Sequence, residues 1–82
     1  MSKEIEFYIY LIERYADFKN ITADVVQRQW DEYGISDMIF NMYDIYHVER
    51  LQNAFDDIDK MIEEKLVKEK TTGFTVNRLN NK

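Results

Sequence analysis

The chain contains no proline, and its only glycines are Gly34 and Gly73. Proline ends a helix by removing an amide donor and clashing with the preceding turn, and glycine weakens one through backbone entropy. Their scarcity leaves the long apolar-periodic runs uninterrupted, so the sequence predicts an all-α fold. With 82 residues the chain makes one small domain, which buries only about 60% of the surface its unfolded form exposes.

Four helices are expected in a compact bundle. The first spans about 3–19. On a helical wheel Ile5, Phe7, Tyr8, Ile9, Leu11, Ile12, Tyr15, Ala16 and Phe18 cover more than half the circumference. Glu6, Tyr10, Glu13, Arg14 and Asp17 form a narrow polar stripe. A helix this apolar is expected at the centre, covered by several neighbours. Asn20 can end it in a left-handed conformation. Thr22 is a suitable N-cap for the second helix, 23–33, whose inward face is Val26, Trp30 and Tyr33. Gly34 should follow where positive φ costs least, with Ile35 packing back on Trp30.

Ser36 is expected to cap a third helix at 37–46. Met38, Ile39, Phe40, Met42, Tyr43, Ile45 and Tyr46 make it apolar nearly all round, and Asp37, Asn41 and Asp44 form one polar line. The fourth helix, about 49–70, carries the stripe Leu51, Phe55, Ile58, Ile62 and Leu66. Its acidic residues precede its lysines, which suits the helix dipole. The periodicity stops after Lys70, so the domain is placed at 1–70 and a flexible, partly disordered tail at 71–82.

Composition narrows the function classes. Without cysteine the chain can form neither a disulfide nor a thiolate metal site. No run approaches the ~20 apolar residues of a membrane span, and Glu4 and Glu6 interrupt the apolar start that a signal peptide would need. A net charge of −5 argues against a nucleic-acid partner, which calls for a basic face. The expectation is a cytoplasmic protein with no membrane partner, no nucleic-acid partner and no cofactor.

The chemistry-bearing candidates are few. His47 is the only histidine. Tyr43 and Asp44 lie one turn before it, so the trio could hold a general base. The competing reading is structural: a histidine in the last turn of a helix meets the free carbonyls and suits the dipole. No second histidine, cysteine or glycine-rich turn supports catalysis, so the structural reading is preferred and no catalytic residue is assigned. The aspartates of "DDID", 56–59, could attract a divalent cation. Adjacent Asp56 and Asp57 point ~100° apart on a helix, however, so a solvated charged face is expected and no metal site is assigned. "DVVQRQWDEYGISDMIFNMYD" has the outline of a helix-turn-helix, but its second helix carries no Arg or Lys to reach DNA. Met38, Phe40, Met42 and Tyr46 are the candidate interaction surface, because a small bundle cannot cover every side of so apolar a helix.

The combination of "IEFYIYLIERYA", "WDEYGISDMI", "YDIYH" and "DDIDKMI", running from Ile5 to Ile62, resembles a family of small bacterial helical proteins known only as a domain of unknown function. Members share Tyr-Asp-x-x-His, here Tyr43, Asp44 and His47, and Asp-Ile-Asp, here Asp57, Ile58 and Asp59. The chain departs from that pattern after His47, where "VER" replaces a glycine-containing turn, and residues beyond Lys70 lie outside the resemblance. The resemblance implies no activity. Such genes often adjoin one for an ADP-ribosyltransferase-like protein, which implies an antitoxin-like or accessory role. The expected function is therefore a non-catalytic protein-interaction module. The alternatives are a homodimer formed through the third or fourth helix, and a small enzyme using Tyr43, Asp44 and His47.

Overall fold

The computed structural model describes the backbone of residues 2–81 and the side chains of residues 2–68. Five helices follow in chain order: α1 (Lys3–Lys19), α2 (Ala23–Glu32), α3 (Ile35–Asn41), α4 (Tyr43–Tyr46) and α5 (Leu51–Asn81). The described residues contain no strand, so the all-α expectation holds.

Helix α1 starts at Ser2, whose hydroxyl accepts the amide of Ile5 at 3.1 Å and so satisfies one free N–H of the first turn. It ends at Asn20, which adopts the expected left-handed conformation at φ 58° and ψ 45°. Its buried residues are Tyr8, Leu11, Ile12, Tyr15 and Ala16, which is one stripe at i, i+3, i+4, i+7 and i+8. The expectation of a helix covered over half its circumference is corrected here. Ile5, Ile9 and Phe18 are open to solvent at 41%, 41% and 55%. The bundle is too small to supply neighbours on every side.

The second boundary also shifts. Tyr33 ends α2 outside helical geometry, and Gly34, at φ 75°, both follows α2 and starts α3. Ser36 therefore sits inside the first turn of α3 and does not cap it. Ile35 is fully buried in the same core as Trp30, as expected. The expected third helix is broken at Met42 (φ −102°, ψ 16°) into α3 and the single turn α4. Seven apolar side chains spread around one straight helix cannot all face one core. The bend lets Ile39 and Tyr46 point to it from the two pieces.

Helix α5 begins at Leu51, after an irregular turn at 47–50, and not at Glu49. Its backbone runs to Asn81 instead of leaving the helix at Lys70. The expected flexible tail at 71–82 lies outside the residues whose side chains are described.

The core joins Leu11, Val26, Trp30, Ile35, Ile39 and Ile58, all fully buried. A chain of aromatic rings runs across it. Phe40 stacks on Tyr8 at 4.9 Å, Tyr8 and Tyr15 flank Trp30 at 6.1 and 5.4 Å, and Phe55 joins Tyr15 to Phe18 at 5.3 and 5.1 Å. Each such pair contributes about 0.5–1.5 kcal/mol beyond its buried area. The Trp30 indole Nε1 is buried with no acceptor among the described residues, an arrangement that costs on the order of 1–3 kcal/mol. The dense ring packing around it offsets that cost.

The molecule is elongated. Its extents are 52 × 25 × 21 Å and its radius of gyration is 15.4 Å, against ~12 Å for a compact domain of this length. At ~1.5 Å per residue α5 alone is about 46 Å long, so this helix sets the long axis and projects past the body.

Candidate functional site

Three tyrosines on the core boundary are tied by their hydroxyls, two directly to a carboxylate and one to a serine that itself donates to a carboxylate. Tyr15 Oη donates to Asp59 Oδ1 at 2.5 Å, and Lys19 Nζ reaches the other oxygen of Asp59 at 2.8 Å. Tyr46 Oη donates to Asp57 Oδ2 at 2.7 Å. Ser36 Oγ donates to Asp31 Oδ1 at 2.7 Å and receives the Tyr8 hydroxyl at 2.6 Å. Burial, reinforced by Asp59 and Asp57 respectively, pushes Tyr15 and Tyr46 well above the ordinary phenol value. Burial also raises Tyr8, partly countered by the Ser36 bond and reinforced by Asp31. These hydroxyls stay protonated near neutral pH and serve as donors.

This arrangement revises the reading of "DDID". Asp56 pairs with Gln52 on the surface, where Gln52 Nε2 donates at 2.9 Å. Asp57 and Asp59 flank the buried stripe of α5 and tie it to α4 and α1. The available signal was that a tyrosine at a core boundary needs a partner for its hydroxyl, and that two aspartates bracket Ile58. Choosing which tyrosine meets which aspartate needed the tertiary fold. Among the described residues no group of three or more His, Asp or Glu side chains is placed to hold a metal ion.

The trio at the end of α4 is brought together only in part. The His47 and Tyr43 rings stack at 4.3 Å with 6° between planes, and His47 Nδ1–H donates to the Tyr43 carbonyl at 2.7 Å. Tyr43 also meets Phe7 edge-on at 5.6 Å. His47 thus meets a carbonyl at the helix end. Asp44 is exposed and does not supply the bond that orients the ring.

The four residues expected to form an interaction surface are largely covered, and the Tyr46 hydroxyl reaches Met38 Sδ at 3.9 Å. Tyr46 is 4% exposed and belongs to the core. Met38 and Met42 pack partly buried against it, and Phe40 is stacked on Tyr8 with 37% exposure. The bend at Met42 draws this surface inward.

An open apolar surface in register with the core lies along α5. Phe55 and Ile58 are buried, Ile62 is half-buried, Leu66 is 45% exposed and Val67 is 56% exposed. The stripe keeps its spacing but outruns the body that covers it. Beside it a groove of about 710 Å³ runs between α1 and α5, lined by Tyr15, Lys19, Ile21, Asp59, Ile62 and Leu66 among others. Its lining mixes apolar side chains with charges of both signs. Sequence reading set the candidate interaction surface on the third helix and named the fourth only as an alternative homodimer face, because Ile62 and Leu66 continue the pattern of the buried positions before them. No helix among the described residues is long and apolar enough to cross a membrane.

No curated protein matches the chain, and no solved structure does. The model of one family, described as Protein of unknown function (DUF3791), matches residues 6–65. That stretch begins within α1, takes in α2, α3, α4 and the Tyr15–Asp59 and Tyr46–Asp57 ties, and stops just before Leu66. The chain belongs to the DUF3791 family, a family of proteins of unknown function.

Proposed function

We propose that the protein is a non-catalytic protein-interaction module that binds through the outlying part of α5 and the groove beside it. The observation that carries this reading is the apolar stripe Phe55–Ile58–Ile62–Leu66, which passes without a break in spacing from the core into solvent. Water-exposed Leu66 and Val67 beside a groove with a charged rim match a hydrophobic contact framed by polar groups. The engagement of His47 with the Tyr43 carbonyl and the raised tyrosines favour a structural role for the titratable groups over a catalytic one. A cytoplasmic setting accords with the cysteine-free sequence.

The finer form of the reading is an antitoxin-like or accessory partner of an enzyme encoded nearby. Co-expression of the tagged chain with the products of its adjacent genes tests it, with Leu66→Asp as the comparison. The expected result is a complex with the wild-type chain that is lost with Leu66→Asp while helicity is kept. A complex that is indifferent to Leu66→Asp refutes the assigned surface.

A further inference from the structure

We infer that the surface on α5 pairs with a second copy of the chain, α5 against α5 in antiparallel orientation. This rests on the reading of α5 as a binding surface and names its occupant.

The charge distribution selects that occupant. Residues 1–64 hold fifteen acidic and six basic side chains, whereas residues 65–82 hold five basic and one acidic. The two parts therefore carry −9 and +4. Along α5 the balance of charge reverses: Asp56, Asp57, Asp59, Glu63 and Glu64, with Lys60 among them, precede Lys65, Lys68 and Lys70, with Glu69 among them. The reversal falls where the apolar stripe emerges from the body, between half-buried Ile62 and exposed Leu66.

A parallel second helix would set acid against acid and base against base. An antiparallel one sets the acidic part of each copy against the basic part of the other, with Leu66 near the crossing. That arrangement is isologous, so each contact is made twice and the pair closes at two. The groove next to Leu66 gives the incoming helix a seat. Ile21, Ile62 and Leu66 meet its apolar side, and the rim, which holds Lys19 and Lys60 as well, offers Asp56 and Glu63 to its lysines. A chain whose α5 carries both an acidic stretch and a basic stretch offers complementarity to itself without another partner.

The test is sedimentation velocity of the full 82-residue chain between roughly 10 µM and 1 mM, a range that brackets micromolar self-association. The expected result is a concentration-dependent species of twice the 10.0 kDa monomer. Its dissociation constant should rise at least about tenfold when ionic strength increases from ~0.05 to ~0.5 M, because rim charges are screened. Leu66→Asp should give a monomer with unchanged circular dichroism. Two charge variants supply an independent check. Glu63→Lys with Glu64→Lys makes the middle of α5 wholly basic, and Lys65→Glu with Lys68→Glu makes it acidic. Each variant alone should be monomeric, and an equimolar mixture should form a heterodimer.

A wild-type chain that stays monomeric at the highest concentration, or a mixture of the two charge variants that does not associate, overturns the inference. A monomer whose capture of a neighbouring gene product is still lost with Leu66→Asp overturns the inference alone and leaves the binding surface standing. A dimer that survives Leu66→Asp also overturns the inference, because the contact then lies elsewhere.

Discussion

The tie between α1 and α5 gives the sharpest test of how this fold is held together. Asp59 accepts the hydroxyl of Tyr15, a residue only 3% exposed, and its other oxygen holds Lys19. Asp59→Ala removes the acceptor and strands the phenol at the core boundary. An unsatisfied buried hydroxyl costs about 1–3 kcal/mol, and loss of the half-exposed Lys19 pair adds roughly 0.2–1 kcal/mol. Alanine recovers about 0.5 kcal/mol of helix propensity. The net expectation is a loss of about 1–3 kcal/mol, or roughly 4–20 °C in Tm for a domain of this size. Tyr15→Phe should cost less, about 0.5–1.5 kcal/mol, because Asp59 keeps Lys19 and reaches water. Thermal and urea unfolding of the two variants and of the double variant should show the order Asp59→Ala worse than Tyr15→Phe, with a coupling of about 1 kcal/mol. The reasoning fails if Tyr15→Phe is the more damaging substitution, or if the two effects simply add.

The raised tyrosines predict alkaline sensitivity. A phenol whose folded value lies above its unfolded value of ~10 leaves stability untouched below pH ~10 and lowers it as the unfolded chain ionises first. Tyr8, Tyr15 and Tyr46 all shift upward, so urea midpoints should be flat from pH 7 to 9 and fall above pH ~10 by up to about 1.4 kcal/mol per pH unit for each phenol. A midpoint that rises above pH 10 would contradict the assignment. His47→Ala removes an exposed helix-end bond and should cost only about 0.5–1.5 kcal/mol by thermal unfolding. Full loss of folding would show that the ring does more than cap α4. Gly34→Ala places a side chain at φ 75° in otherwise open space, so the penalty is backbone strain alone. It should be about 1–2 kcal/mol, and an unchanged Tm would show that the turn can relax.

Much of the local structure was legible in the chain. The absence of proline and the 3.6-residue spacing of apolar positions announced helices, and Asn20 and Gly34 marked two of their boundaries by tolerating positive φ. The stripe from Leu51 to Leu66 identified the face of α5. Periodicity says which side of a helix is apolar, but it does not say whether a neighbour exists to cover it. The sequence treated Tyr46 and Phe40 as one surface, yet the bend at Met42 buried the first and left an edge of the second.

The same limit explains α5. Ile58 and Leu66 look alike in sequence, but one is fully buried in the core while the other is 45% exposed at the edge of the groove. The partners of the aspartates were likewise undetermined, because a hydroxyl and a carboxylate 44 positions apart meet only after two helices have packed. Local backbone preferences and apolar spacing act within a few residues, so the sequence determined the helices and their faces. Coverage depends on how many neighbours an 82-residue chain can place around each face, and only the tertiary structure decided that.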